Sequence, residues 1–335
     1  ADERVIYVGE THTALEDHLL QLEVLKAMRA QGGSLALGVE WFQWPFQEHL
    51  DDYMAGRITE GEMLERTGYF DRWRFDYRLY RPLVEFAREQ GIPVIALNAP
   101  VELTQAISRA DIEAIGGELH EQLPDGYDFS DTDYRRRLES FYGQHPESGG
   151  SFEGFLQVQL TWDETMAQNV ADYLKANPDA RMLVLAGSGH VEYRSGIPQR
   201  VTRRTGIRGT SILIPKYTVT DSRVADYLLH ADPVELPEAG VFGAFLDTGE
   251  EGVFISGFTE TSSGKQAGMQ EQDRILAIDG TSVNSYADLK IAMIDKQPGD
   301  AIDIELARDV QGRSERLSLH VELGSRGRPA SAHAR

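Results

Sequence analysis

Two short turns in the sequence each place a histidine three residues after a glycine. The first is Gly9-Glu10-Thr11-His12 and the second is Gly187-Ser188-Gly189-His190. Imidazoles and the carboxylate of Glu10 can act as general acids and bases or bind divalent metal ions. A single match of this kind is expected by chance in many chains. The two copies therefore point to chemistry only if the fold brings them together.

The elements around these turns predict that both lie at one edge of a sheet. Helical stretches separate five short apolar runs that predict strands, at Val5–Val8, Ser34–Val39, Pro93–Asn98, Arg181–Ala186 and Thr210–Pro215. Strands that alternate with helices in this way predict an α/β domain with a mostly parallel sheet flanked by helices. Ligands bind at the carboxyl ends of such strands, so we expect both histidines at a common rim.

Further polar residues are expected at or near this rim. Glu40 ends the second predicted strand, His18 lies on the inward stripe of the first helix, and Asp163 lies on a long helix of roughly residues 152–176. Buried carboxylates cost several kcal/mol unless they are paired or bind a metal. The rim is therefore expected to hold a cation, protons, or an anionic ligand with its metal. The alternative is that the histidines are ordinary core residues that hydrogen-bond to carbonyl groups.

Composition excludes several classes of protein and partner. The chain has 335 residues with 54 Asp and Glu against 33 Lys and Arg, a net charge of −21, which argues against binding to nucleic acid or a bare membrane surface. It has no cysteine, which excludes disulfides, thiolate zinc sites, iron–sulfur clusters and cysteine nucleophiles. No apolar run approaches the ~18–20 residues of a membrane-spanning helix.

The length and a change of pattern predict two domains, since domains average ~150 residues. We expect an α/β domain at residues 1–230, a linker with prolines and acids at 231–239, a small β-rich domain at 240–323, and a disordered tail at 324–335. In the second domain, short strands surround one helix at Tyr286–Ile294.

The first domain resembles a known family in several stretches that occur in the same order. They are Gly9-Glu10-Thr11-His12 with His18 and Gln21, Leu35–Phe42, Tyr80-Arg81-Pro82-Leu83 running to Pro93–Asn98, Gln159–Ala167, and Ala186–Pro198. Together they resemble the ChaN-like haem-binding lipoproteins over nearly all of residues 4–220. The resemblance implies haem binding for bacterial iron acquisition, with paired haems at a homodimer interface and iron held by a tyrosine.

This resemblance also implies site residues and a location. Tyr193 is the position carried over as iron ligand, His12, His18 and His190 would line the haem site, and Arg194 and Lys216 would meet the haem propionates. The alternative is that Tyr193 is a surface tyrosine and that the basic residues coat an ordinary helix. The implied location is the periplasm or the outer membrane, with a lipid anchor on a segment already removed from this chain as the only tie to the membrane.

A second function remains open, because the wider group includes TIKI-type metalloproteases and erythromycin esterases joined by paired Gly-x-x-His turns. On that interpretation His12, His190, Glu40, Glu10 and Asp163 would bind a divalent ion such as Zn, Mn or Co. Glu10 would be the catalytic general base only in such a hydrolase. Haem binding without catalysis is the preferred interpretation, and the metal-dependent hydrolase is the alternative.

Residues 240–323 resemble a PDZ domain of the bacterial HtrA-like type. The resemblance rests on Val241–Leu246, Ala267-Gly268-Met269, Asp273–Gly280 and Gln297-Pro298-Gly299-Asp300. It implies that a protein C-terminus adds as a strand and that its carboxylate is held by the backbone of Phe242, Gly243 and Ala244. Phe242 and Phe245 indicate a hydrophobic terminal side chain. The alternative is that the groove is filled by the protein itself or used for dimerisation.

Overall fold

The computed structural model describes residues 3–144, 150–216 and 219–325, and the chain divides into two compact units. The first comprises the chain up to Glu235 apart from Gly68–Asp71, and the second comprises Gly68–Asp71 and the chain from Leu236. Each unit has its own hydrophobic core. Within the described ranges, every helix is too short or too polar to cross a membrane.

The first part of the chain alternates strands and helices. The strands are β1 (Val5–Glu10), β2 (Leu35–Gln43), β3 (Val94–Asn98), β4 (Arg181–Gly187), β5 (Thr210–Leu213) and β6 (Tyr227–Leu228). The helices are α1 (Leu15–Ala30), α2 (Gln47–Met54), α3 (Glu60–Arg66), α4 (Tyr69–Arg72), α5 (Arg81–Glu89), α6 (Val101–Ile107), α7 (Thr132–Gln144), α8 (Phe152–Ala176) and α9 (Ile197–Thr205).

The six strands form one parallel sheet in the order β3-β2-β4-β1-β5-β6. The central strands are almost entirely buried, as expected for a sheet with helices on both faces. The core contains Val5, Tyr7 and Val184 from the sheet together with Met166 and Val170 from α8. The predicted α/β class with a mostly parallel sheet is therefore confirmed.

The end of β2 departs from the sequence expectation. The aromatic run Trp41–Tyr53 predicts a helix directly after Glu40, but β2 continues to Gln43, which pairs with Asn98 of β3. Only then does a 3₁₀ turn at Trp44–Phe46 lead into α2. The register of β2 against β3 shifts between Val39 and Gln43. Glu40 thus lies at an irregular point inside the strand and not at its end.

The second unit is an antiparallel sheet with two short helices. Its elements are β7 (Ala244–Gly249), β8 (Gly252–Phe258), α10 (Ser263–Gln266), β9 (Arg274–Ile278), β10 (Thr281–Ser282), α11 (Tyr286–Ala292), β11 (Ala301–Val310) and β12 (Arg313–Glu322). The strand order is β12-β11-β9-β8-β7, with β10 paired to β9. The small β-rich domain predicted at the C-terminal end is thereby confirmed. Its hydrophobic core includes Val253, Ile275, Ile304 and Val321.

Part of the predicted tail belongs to this sheet region. Gly324 forms an antiparallel bridge with Val241, with a 2.9 Å hydrogen bond in each direction. Residues 326–335, which carry most of the tail predicted to be disordered, lie outside the described residues.

Candidate functional site

The parallel register of two neighbouring strands brings the two Gly-x-x-His turns together. β1 and β4 are adjacent, and Glu10 at the end of β1 lies opposite Gly187 at the end of β4. β2 is the next strand beyond β4 and supplies Glu40. The carboxyl ends of β1 and β4 therefore meet the irregular part of β2 at one rim, on the side of the sheet where parallel α/β sheets bind ligands.

Gly187 is the point at which these groups come closest. Its backbone N–H donates a 2.7 Å hydrogen bond to Oε2 of Glu40. A Cβ atom at this position would lie 2.8 Å from Cε1 and 3.2 Å from Nε2 of His12. A side chain at this position would therefore collide with the imidazole, and glycine allows the close approach.

His12 is held by a carboxylate on one side and by aromatic rings on the other. Its Nδ1 lies 2.7 Å from Oε1 of Glu10, and the rings of Trp73 and Phe75 each lie 4.9 Å from the imidazole centroid. Burial lowers the pKa of His12, but the hydrogen bond to Glu10 and the charge of Glu40 outweigh burial and raise it. The hydrogen bond at Nδ1 orients the ring, so Nε2 is the nitrogen that could bind a metal ion.

His190 is held in a similar way by a different carboxylate. Its Nδ1 lies 2.7 Å from Oδ1 of Asp163, and its Nε2 lies 3.4 Å from Oε1 of Glu40. The hydroxyl of Tyr134 on α7 donates a 2.6 Å hydrogen bond to Oδ2 of Asp163. Burial opposes protonation of His190, but the charges of Glu40 and Asp163 raise its pKa well above the ordinary value.

The two buried glutamates complete the rim. Burial alone would raise the pKa of Glu40, but His190, His12 and the Gly187 N–H lower it to about 2. The second oxygen of Glu10, Oε2, is buried and has no hydrogen-bond partner among the described residues. One ligand atom from each of Glu10, His12 and Glu40 lies within 4.8 Å of the others. This donor set of oxygen and nitrogen atoms is chemically suited to a small divalent cation.

The structure thus brings Glu10, His12, Glu40 and His190 together, while two other predicted residues have different roles. Asp163 lies behind His190 and holds its ring. His18 is buried, with Nδ1 3.0 Å from Oε1 of Gln21 and Nε2 3.2 Å from the carbonyl oxygen of His12. Both ring nitrogens of His18 are therefore used inside the protein. His18 therefore stabilises the backbone of the first Gly-x-x-His turn through its contact with the carbonyl of His12.

Tyr193 lies in the loop after His190 with an uncommon backbone conformation. Its φ is 55° and that of Arg194 is 62°, so two consecutive residues with side chains adopt the left-handed region. The Tyr193 N–H donates a 2.8 Å hydrogen bond to the carbonyl of Val224. The half-buried ring lies under the guanidinium of Arg137, whose Cζ is 4.6 Å from the ring centroid. Within the described chain, the Tyr193 hydroxyl has no hydrogen-bond partner.

The two cations predicted for propionates are engaged elsewhere. Arg194 donates a 2.7 Å hydrogen bond to the carbonyl of Gly209 and forms an ion pair with Asp226. Lys216 lies 2.5 Å from a carboxylate oxygen of Glu16 and 2.7 Å from one of Asp17. Both side chains therefore bind acids of the protein itself, which neutralise their charge.

Sequence reasoning missed four residues around this rim. Trp73 and Phe75 cover His12, Tyr134 holds Asp163, and Arg137 covers the ring of Tyr193. The aromatic density of residues 69–80 was a usable signal for the first pair. The two residues of α7 offered none, because they lie in a charged segment that resembles an insertion.

The second unit presents a separate candidate site at the edge of its sheet. In the described residues β7 pairs only with β8, which leaves its other edge open. The carbonyl of Phe242 accepts hydrogen bonds from the Gly264 N–H at 2.9 Å and the Ser262 hydroxyl at 3.0 Å, and Gly243 has a φ of +72°. Phe242 is buried in the core, whereas Phe245 is 58% exposed.

Comparison with known proteins places both units in families. The profile of the family described as haem-binding uptake, Tiki superfamily, ChaN matches residues 1–201, and that of the PDZ domain matches residues 240–323. RETICULATA-RELATED 5, a chloroplastic protein of Arabidopsis thaliana, is 28% identical over 220 residues, which cover 60% of this chain and 29% of that protein. This chain therefore spans less than a third of the length of that relative.

Two solved structures are similar to parts of this chain, and the first shows the fold of the α/β unit. A structure described as cofacial haem binding to ChaN of Campylobacter jejuni is 17% identical, with a TM-score of 0.54 over 68% of this chain and 86% of that chain. The PDZ domain of a carboxy-terminal protease from Vibrio cholerae, solved with a peptide, is 14% identical, with a TM-score of 0.23 over 27% of this chain and 96% of that one. On the match over residues 1–201, this chain belongs to the ChaN haem-binding uptake family of the Tiki superfamily, and a PDZ domain follows at residues 240–323.

Proposed function

We propose that the first unit binds haem and that Tyr193 is the ligand of its iron. The observation that carries this proposal is the loop of Tyr193, where two successive residues adopt the left-handed region and present a phenol whose hydroxyl has no protein partner among the described residues. Strained backbone of this kind persists where the surrounding structure enforces it, commonly at ligand sites. Membership of the haem-binding uptake family supports haem as the group that is bound.

The residues around Tyr193 fit a bound haem. A phenolate is a hard oxygen donor that suits ferric iron. Tyr193 is half-buried, and Arg137 above its ring supplies a positive charge. In this proposal Tyr193 binds the iron, and the rim of Glu10, His12, Glu40 and His190 forms the adjacent polar surface.

Haemin titration tests this proposal. The parent protein is expected to develop a Soret band with saturable binding, and Tyr193→Phe is expected to weaken the band or shift it, because the oxygen donor is lost. Tyr227→Phe is the matched control, since Tyr227 is 63% exposed on β6. Equal affinity and equal spectra for Tyr193→Phe and the parent would refute the assignment of the ligand.

The biological role that we propose is haem acquisition in the bacterial envelope, with a homodimer that pairs two haems. The ChaN family supports this role, and the fold similarity to a protein with cofacial haem binding supports the pairing. Sedimentation of the protein with and without haemin tests it. A species that remains a monomer with one haem per chain would exclude the paired arrangement.

A second function, a metal-dependent hydrolase, is favoured by a specific observation at the rim. Oε2 of Glu10 is buried without a partner, next to His12 and Glu40, and a divalent ion such as Zn, Mn or Co would satisfy it. In such an enzyme Oε2 of Glu10 would either bind the ion or, with the ion on His12 and Glu40, accept a proton from water as general base. A bound metal would supply Lewis-acid activation of the substrate.

Elemental analysis after dialysis tests this second function. Metal is expected to remain in the parent protein and to be lost in His12→Ala and His190→Ala. His320→Ala is the control, because that histidine is exposed in the second unit. Metal content that is unchanged in both rim variants would exclude the site.

For the second unit, we propose recognition of protein C-termini. The open edge of β7 supplies backbone groups for an added strand, and the loop Phe242–Ala244 leads directly into β7 and is held through the carbonyl of Phe242. A peptide with an apolar last residue is expected to bind more tightly than ~1 mM, a common limit for weak specific binding. The same peptide with an amidated C-terminus is the control. Equal binding of both forms would show that the loop does not read the carboxylate.

A further inference from the structure

The guanidinium of Arg137 contacts the loop of Tyr193 at two points. Its Cζ lies 4.6 Å from the centroid of the Tyr193 ring, and its terminal nitrogen donates a hydrogen bond to the hydroxyl of Ser195. The Ser195 hydroxyl in turn donates a 3.2 Å hydrogen bond to the carbonyl of Glu192. Arg137 therefore contacts the Tyr193 ring directly and bonds to Ser195, whose hydroxyl connects it to the carbonyl of Glu192 on the other side of Tyr193.

The opposite side of the same loop is held by other elements. The Tyr193 N–H bonds to the carbonyl of Val224, and the side chain of Arg194 bonds to Gly209 and Asp226. The left-handed region is unfavourable for residues with side chains, so these contacts offset a strained conformation. Arg137 is the contact that acts on the phenol ring itself.

Arg137 also differs from its neighbouring arginines in charge compensation. On α7, Arg135 is paired with Glu153 and Arg136 with Asp133. On α9, the three arginines Arg200, Arg203 and Arg204 all pair with the buried Glu164. Among the described residues, no carboxylate lies within ion-pair distance of Arg137.

Arg137 is half-buried and has no carboxylate partner among the described residues, although acids outnumber bases in this chain and its net charge is −21. Its positive charge lies over the face of an aromatic ring that bears an ionisable oxygen. A cation at this distance from a ring stabilises it, and the stabilisation is larger when the ring carries negative charge.

We propose that Arg137 is a positioning residue for Tyr193: it fixes the ring in the strained loop and stabilises the phenolate as the donor to ferric iron. The inference rests on the proposed haem function for its ligand, and on the contacts above for the pairing of the two side chains. It assigns a role to α7, a helix that carries no residue of the family motifs seen in the sequence.

Haemin titrations of Arg137→Gln and Arg137→Lys test this role, with Arg136→Gln as the matched control on the next residue of α7. Arg137→Gln is expected to weaken haemin binding about tenfold and to shift the phenolate-to-iron charge-transfer band. Arg137→Lys keeps the charge and should restore most of the affinity. Arg136→Gln should match the parent. An Arg137→Gln variant with the affinity and spectrum of the parent overturns the proposal.

Two further arms separate a role through Tyr193 from direct contact with haem propionates. In the Tyr193→Phe background, Arg137→Gln is expected to have no additional effect, because the residue through which it acts is gone. With haemin dimethyl ester, which lacks free propionates, the loss caused by Arg137→Gln is expected to persist. A loss that disappears with the ester would assign Arg137 to the propionates and overturn the role through Tyr193.

A measurement without haem tests the contact between Arg137 and Tyr193 independently of haem binding. In protein labelled with ¹³C in tyrosine rings, Arg137→Gln is expected to move the Tyr193 signal, and Arg136→Gln is expected to leave it in place. If the parent fails to bind haemin, the haem function fails, and the ring signal still decides whether Arg137 positions Tyr193. An unmoved Tyr193 signal in Arg137→Gln refutes that positioning.

Discussion

At the scale of single residues, Gly187 determines how closely the rim can assemble. Its N–H holds Glu40, and the space that a side chain would need is taken by the imidazole of His12. Glu40 and His12 can both lie against Gly187 because glycine has no Cβ atom. The glycine of the second Gly-x-x-His turn therefore has a packing role in addition to its role in the turn.

Gly187→Ala is expected to displace His12 and to weaken binding of a metal or haem at the rim about ten- to hundredfold, the usual cost of disturbing groups that orient a ligand. Binding is measured by metal content and haemin titration. Gly189→Ala is the control, because a Cβ there would meet no atom of the described residues within 4 Å. Equal binding by both variants would show that the position of His12 is not limited by Gly187.

Tyr134 and His190 each form a hydrogen bond with the buried carboxylate of Asp163. Tyr134→Phe is expected to destabilise the protein by about 1–3 kcal/mol, because a buried carboxylate loses one of its two partners. It is also expected to move the downfield N–H resonance of His190 in the ¹H spectrum. Tyr127→Phe is the control, since the Tyr127 hydroxyl bonds to Thr161 of α8 and, in the part of the chain that is described, to no carboxylate. An unmoved His190 signal would show that Tyr134 has no influence on the rim.

At the scale of elements, the loop that carries Tyr193 is anchored to β5 and β6. Asp226, just before β6, accepts hydrogen bonds from the Ser211 N–H at 2.7 Å and the Ser211 hydroxyl at 2.9 Å, and it pairs with Arg194. A single carboxylate thus connects the strained loop to the edge of the parallel sheet.

This anchor predicts a pH dependence of stability. Burial would raise the pKa of Asp226, but its bonds to Arg194 and Ser211 lower the pKa from 3.8 to about 2. Because the folded-state pKa is below the unfolded one, the stabilisation is complete above about pH 4 and is lost as the pH falls toward 2. Asp226→Asn should therefore be less stable than the parent near pH 6, and the gap should shrink between pH 4 and 2. Urea unfolding of both proteins measures this gap, and a gap that stays constant with pH would contradict the assignment.

At the scale of the whole molecule, each unit has a core of its own. A change in the core of the second unit therefore tests whether haem binding by the first unit is independent of it. Ile304 is fully buried in the core of the second unit. Ile304→Ala is expected to lower the free energy of unfolding of that unit by about 2–5 kcal/mol. Haemin affinity should stay within about twofold of the parent, because Tyr193 and Arg137 belong to the first unit.

Calorimetry and haemin titration measure the two effects on the same sample. Leu183→Ala, in the buried strand β4 of the first unit, is the reciprocal variant and should weaken haemin binding. A large loss of haemin affinity in Ile304→Ala would show that the haem site depends on the PDZ unit.

Regular elements were predictable because periodicity and capping are local. The long helix expected at residues 152–176 is α8, which begins after the N-cap Ser151. The second domain was expected to contain short strands, and β9 at Arg274–Ile278 is one of them. The helix expected from Trp41 was wrong at its start, because the pairing of Gln43 with Asn98 extends β2, and that pairing depends on a distant strand.

The same distinction applies to the candidate site. Glu10, His12, Glu40 and His190 were identified from strand ends, and the parallel register of β1 and β4 brings them together. Arg194 and Lys216 were chosen by their position after the loop, but the fold gives them acidic partners. A side chain's charge is visible in the sequence, whereas its ion-pair partner depends on which elements pack against it.

The order of residues alone therefore determined the α/β unit, the PDZ unit and the set of groups at the strand ends, since these follow from patterns within a few residues of each other. Only the tertiary structure showed that His18 supports the turn, that Asp163 and Tyr134 hold His190, and that Arg137 covers Tyr193 without an acid of its own among the described residues. These contacts join segments far apart along the chain. The geometry around His190 and Tyr193 is set by the packing of α8 against the sheet and of α7 against α8, which no local pattern records.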